Sequence, residues 1–129
     1  MSVRSLRWAV LSFRLDPVEG HEQSGRRPCL VVSYEPFHRS GLVTVIPITS
    51  ARTEERFPGD VGFPSGTARL ARAGVVIGSQ VRTVLALRTE MPPAGVGYVT
   101  EPHLRRRVRD ALAHHLGLDL PPASDGAQD

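Results

Sequence analysis

The sequence holds a single cysteine, Cys29, so no internal disulfide can staple the fold and no thiolate cluster can bind zinc. Cys29 lies in the apolar run CLVVSY and reads as a small buried hydrophobe, not a nucleophile. Long apolar runs are missing too. The apolar residues come in short stretches such as Leu42 to Ile48, well below a membrane-spanning length. The opening MSVRSLRWAV lacks the apolar stretch and cleavage site of a secretory signal, so a cytoplasmic protein without membrane association is expected. No pair of histidines has zinc-ligand spacing and there is no glycine-rich phosphate loop, so neither metal nor other cofactor is expected. There is no internal repeat.

Lysine is also absent. All sixteen basic residues are arginine, against thirteen acidic ones. Three of those acids (Asp119, Asp125, Asp129) fall in the last eleven residues, which hold no arginine. The rest of the chain therefore carries sixteen basic against ten acidic residues, an excess of +6. Such an excess suits a polyanion or an acidic protein segment. A genome rich in G and C would explain arginine in place of lysine, but not the excess.

At 129 residues the chain suits one domain. Residues 1–118 are assigned to it, and 119–129 to a disordered tail. Residues 7–15 predict a first strand, and the polar, glycine-bearing stretch 16–27 a long loop of the kind that is often functional. Strands are expected over 28–34, opened by Pro28, and over 42–48, with Thr49 and Ser50 emerging at the end. Residues 50–57 read as a connection. Short strands are expected near 58–69, 74–78, 80–86 and 95–100. Leu104, Val108, Leu112 and Leu116 recur every fourth residue and predict a helix, with Thr100 as N-cap and Gly117 at its C-terminal end. Arg105, Arg106, Arg107 and Arg109 fall off that stripe and read as a solvated face. Short strands plus one C-terminal helix make an α+β domain with a small, strongly bent sheet or barrel.

Three clusters put polar groups at the edges of apolar strands: GHEQSGRRP over 20–28, VIPITS over 45–50, and GSQVRT over 78–83. With these elements in this order, residues 7–116 resemble the MazF/PemK family of toxin endoribonucleases. The resemblance implies a small SH3-like, plasmid-maintenance-toxin β-barrel with a C-terminal α-helix. It implies a homodimer, cleavage of single-stranded RNA at short motifs to 2′,3′-cyclic phosphate and 5′-hydroxyl ends, and inhibition by a cognate MazE-like antitoxin with an acidic C-terminal segment. By motif, the family's working residues are Arg27 of the RP pair, Thr49 of PIT, Glu22 with Gln23 beside it, and Gln80 and Arg82 of QVRT. Arg26 and Ser50, next to these, are further RNA-binding candidates. The sequence departs from the family pattern twice. Members usually open Arg-Gly-Asp/Glu-Val-Trp, where this chain has Arg7-Trp8-Ala9-Val10-Leu11, and an acid commonly stands at Ser79.

The chemistry is reasonable on its own terms. RNA can be cut by its own 2′-hydroxyl, so the protein needs no nucleophile; it must move two protons and stabilise charge on phosphorus. A guanidinium fork suits phosphate oxygens, and its pKa above about 12 makes it a poor proton carrier. Arg27 is therefore assigned to phosphorane stabilisation, and His21 and Glu22 are the general-base candidates. A structural role competes at each position: Arg27 as partner of Glu22, Thr49 as a β-branched strand residue, Gln80 and Arg82 as a turn pair. Two other functions compete. One is a non-catalytic toxin on the same fold, like the CcdB gyrase poisons. The other is a passive RNA-binding barrel, which seven aromatic residues, several in core strands, do not favour.

Overall fold

The computed structural model describes residues 5–15, 20, 25–90 and 95–121. Among the described residues, eight strands form one antiparallel sheet: β1 (Ala9–Arg14), β2 (Arg26–Val31), β3 (Leu42–Thr49), β4 (Asp60–Phe63), β5 (Gly74–Ile77), β6 (Arg82–Leu85), β7 (Thr89–Glu90) and β8 (Gly97–Tyr98). The helix α1 (Pro102–His115) follows. β2 lies between β1 and β3, and β3 carries both β5 and β6. β6 passes through a 3₁₀ turn at Ala86–Arg88 into β7, which pairs with β1. This connection draws the sheet's edges together, and the sheet curls into a half-barrel.

The curl explains why β3 is apolar almost throughout. Both of its faces are buried, so hydrophobic residues are needed on each. Val43 and Val45 point inward with Leu11, Phe13, Cys29, Val31 and Val84. Ile46 and Ile48 point outward, where Leu104, Val108 and Ala111 of α1 cover them. Each such aliphatic side chain contributes about 1.5–3 kcal/mol by leaving water.

Several boundaries differ from expectation. The first strand begins at Ala9, because the φ of 71° at Trp8 breaks the regular pairing, although the Trp8 N–H still donates to the Val31 carbonyl (2.8 Å) and its carbonyl accepts from the Val99 N–H (2.8 Å). Trp8 occupies the place of the glycine missing from the opening element, so an indole-bearing residue takes a left-handed conformation at a cost of about 1–2 kcal/mol. Its burial to 5 % exposure offsets that strain. β2 begins at Arg26, so Pro28 is its third residue and does not open it. The missing N–H is tolerated because Pro28 pairs only with β1; the ladder to β3 starts at Cys29.

The N-cap of α1 is Glu101 rather than Thr100, with Pro102 at the first helical position. The apolar stripe ends early: Ala111 is buried, while Leu116 is 60 % exposed beyond the last helical residue. Gly117 closes the helix as expected, with φ 71° and N–H bonds from Gly117 to His114 (3.1 Å) and from Leu118 to Ala113 (2.7 Å). Of the expected tail, Asp119 bonds His114 Nδ1 at 3.1 Å, and 122–129 lie outside the described residues. Among the described residues no helix is long and apolar enough to cross a membrane.

Candidate functional site

In an antiparallel half-barrel, the end of one strand and the start of the next share a rim. The end of β1, the start of β2, the end of β3 and the start of β6 therefore meet at one mouth. Side-chain alternation then decides what faces inward there. Arg27 is two residues from the inward Cys29, Arg82 lies opposite the inward Val45, and Thr49 is in phase with Val45. All three share the inner face. Cys29 reports their proximity: burial pushes its thiol up to about 12, and the charges of Arg82 and Arg27 partly oppose the rise.

Each group is held. Arg82 Nη1 donates to the Leu15 carbonyl at 3.3 Å, and the backbone of Arg27 pairs with Phe13. Thr49, only 4 % exposed, accepts a hydrogen bond at Oγ1 from the Ala51 N–H at 3.2 Å. Its hydroxyl proton can therefore be donated elsewhere. Arg26 follows the alternation to the opposite face and does not join Arg27. Ser50 is exposed, one residue past the end of β3. His21, Glu22 and Gln23 lie outside the described residues. The loop that contains them leaves and rejoins the sheet at this mouth, where Leu15 N–H bonds the Gly25 carbonyl at 2.9 Å.

Gln80 reaches the site through a register shift. Val45 pairs with Arg82 and Ile48 with Val76, so three residues of β3 face six of the partner chain. The surplus forms the 3₁₀ turn Gly78–Gln80, which lifts Ser79 and Gln80 out of the ladder. Gly78 is required there: an added Cβ would sit 2.7 Å from the Gly59 carbonyl oxygen. Thr49, Ser79 and Gln80 then line a cleft of about 380 Å³ with Ala51, Arg52, Arg56, Phe57 and Ile77.

Arg52, Arg56 and Phe57 were not singled out from sequence, where 50–57 reads as a plain connection. The available signal was an aromatic beside an arginine just after PITS. Phe57 is 66 % exposed, the form of a stacking surface. The segment is anchored by Asp60, whose Oδ2 accepts from Arg52 Nη1 (2.9 Å) and from the N–H groups of Arg56 (2.9 Å) and Phe57 (3.1 Å). Burial raises the Asp60 pKa, but these donors outweigh it and hold the carboxyl below its usual range. Among the described residues, no cluster of three or more His, Cys, Asp or Glu is placed to hold a metal ion.

The family model for the PemK-like, MazF-like toxin of type II toxin–antitoxin systems matches residues 6–116. Endoribonuclease MazF6 of Mycobacterium tuberculosis is 36 % identical over 98 residues, which are 71 % of this chain and 86 % of that protein. Endoribonuclease PemK of Escherichia coli is 39 % identical over 71 residues, 54 % of this chain and 53 % of that one. Among solved structures, MazF from Deinococcus radiodurans superposes with a TM-score of 0.66 at 28 % identity, covering 90 % of this chain and 99 % of that one. A mycobacterial endoribonuclease in complex with its cognate antitoxin gives 0.70 at 24 % identity, covering 92 % and 100 %. The chain belongs to the PemK-like, MazF-like toxin family of type II toxin–antitoxin systems.

Proposed function

We propose that this toxin is a metal-independent endoribonuclease that cleaves single-stranded RNA at short sequence motifs and so stops translation and growth. The observation that carries the reading is the sharing of one barrel mouth by Arg27, Arg82 and Thr49, beside the cleft that holds Gln80. A scissile phosphate at that mouth meets guanidinium forks and one hydroxyl donor, which together oppose the charge that builds on the phosphorane. A base from the 16–25 loop, His21 or Glu22, takes the 2′ proton. The 2′ oxygen then bonds to phosphorus, the bond to the 5′ oxygen breaks, and that oxygen is protonated as it leaves. The products are a 2′,3′-cyclic phosphate and a 5′-hydroxyl. Gln23, Ser50, Gln80 and Arg82 bind the flanking nucleotides, and Phe57 stacks a base. The protein acts in the cytoplasm as a homodimer, and an antitoxin with an acidic C-terminal segment occupies the same basic mouth.

The test is incubation of purified protein with a long RNA in EDTA, followed by mapping of the 5′ ends. Discrete cuts with 5′-hydroxyl termini are expected. Intact RNA would reject the nuclease and favour a non-catalytic toxin of the gyrase-binding kind.

A further inference from the structure

On the helix Arg106, Arg107 and Arg109 are exposed, as expected of a solvated face, but Arg105 is half-buried, and both Arg105 and Arg109 lie against Trp8. The guanidinium carbons of Arg7, Arg105 and Arg109 lie 5.6, 5.2 and 5.8 Å from the centroid of the Trp8 ring. Cation–π attraction accounts for a guanidinium over an indole, but three cations around one ring also repel one another. Among the described residues, none of the three is in a salt bridge with a carboxylate. Glu35 feels the charge of Arg7, yet its hydrogen bond comes from Ser5. Arg105 is fixed by a 2.6 Å bond from Nε to the Val99 carbonyl. Among the described residues the buried Nε of Arg7 has no hydrogen-bond partner. Such a cluster is electrostatically incomplete, and an anion bound among the three guanidiniums would complete it.

We propose that Arg7, Arg105 and Arg109, gathered around Trp8, form a second binding site for the phosphodiester backbone of single-stranded RNA. The proposal rests on the reading of RNA as the substrate and extends it beyond the cleft. Trp8 precedes β1 and packs on the helix-covered side of the sheet, and the mouth lies at that strand's far end on the inner side, so the RNA must cross at least roughly 20 Å at about 3.3 Å per residue and round the sheet's edge. An RNA chain held at the mouth continues past it, and its next phosphates can reach the cluster. The span is within the roughly 4–16 nucleotides that one single-strand-binding barrel accommodates. Arginine forks suit those phosphates.

Trp8 is the sole tryptophan, so intrinsic fluorescence of the whole chain reports on this cluster without a label. The probe is a thymidine oligodeoxynucleotide, which has no 2′-hydroxyl and cannot be cut. A saturable change in Trp8 emission is expected. The dependence of log affinity on log salt should fall by about 1.4 in the double variant Arg105→Gln/Arg109→Gln, at about 0.7 per lost phosphate contact. Arg109→Gln alone, which disturbs only an exposed side chain, should lose about 0.7. Both variants should cut a minimal oligoribonucleotide at the parental rate while KM for long RNA rises. Silent Trp8 emission, or an unchanged salt dependence in both variants, would overturn the second site even if the protein cuts RNA. Equal affinity for polyglutamate of matched charge would overturn it as well, by assigning the cluster to an acidic protein segment. A protein that cuts no RNA but shows the salt-dependent Trp8 response keeps the anion site and loses the nuclease.

Discussion

Arg27 and Arg82 stand where the inner face of the sheet stops being apolar, and their charges oppose the rise that burial gives the Cys29 thiol. That thiol is fully buried and pushed up to about 12, so it should resist alkylation at neutral pH until the chain is unfolded. Rapid labelling of the native protein would show that the inner cluster is open. For the reaction itself, Arg27→Ala should slow cleavage by about 10²–10³, the usual loss for one charge-stabilising donor, with the fold intact. Arg27→Lys should recover little, since an ammonium cannot offer two parallel donors to a phosphate. Near-parental cleavage by the lysine variant would remove the need for a fork. The shared placement of Arg27 and Thr49 was readable because each sits in a short motif at the end of an apolar strand. Phe57 was not, because an exposed aromatic in a polar connection has no periodicity to betray it. Its substitution by alanine should raise KM about 5–150-fold, from the roughly 1–3 kcal/mol that a stacked base contributes.

Two elements carry the cleft, and both work through backbone geometry that side-chain patterns do not announce. The 3₁₀ turn Gly78–Gln80 exists because β5 and β6 are out of register on β3 by three residues. The sequence reads only as two apolar runs separated by GSQ. The β3–β4 connection is shaped by Asp60, which is legible as an acid after Pro-Gly but not as the acceptor of three donors. Asp60→Asn keeps the size and loses the charge, and should destabilise the fold by about 2 kcal/mol, as expected for charged hydrogen bonds. The pH dependence has a definite sign. The folded pKa of Asp60 is lowered, so its contribution is fully present above the unfolded value near 3.9 and is lost as pH falls through the lower folded value. Urea midpoints from pH 7 down to pH 2 should show this loss in the parent protein and a smaller one in Asp60→Asn. Parallel curves would place the acid sensitivity elsewhere, for instance at Glu55, whose carboxyl is lowered by the Arg107 hydrogen bond.

The molecule as a whole is a half-barrel in which the candidate groups Arg27, Arg82 and Thr49 share one rim, beside the β3–β4 connection and the Gly78–Gln80 turn. Short strands and one amphipathic helix revealed this architecture, because burial on both faces of β3 and on one face of α1 imposes patterns that survive in sequence. The left-handed Trp8 left no such pattern: tryptophan is rare at positive φ, and only its surroundings make the strain tolerable. A single rim this small offers a shallow cleft, about 380 Å³ at Thr49 and Gln80, which is little room for several nucleotides. Two copies set side by side would join their rims into one longer groove. Large apolar side chains also remain in water on the single chain, with Leu87 93 % exposed and Leu118 73 %, and a partner copy would cover part of that area. Light scattering at micromolar concentration should therefore give twice the mass of one chain. Dilution that dissociates the pair should reduce cleavage in parallel with the loss of dimer, since each isolated rim holds too short a stretch of RNA. A monomer that cuts at full rate would show that one mouth suffices.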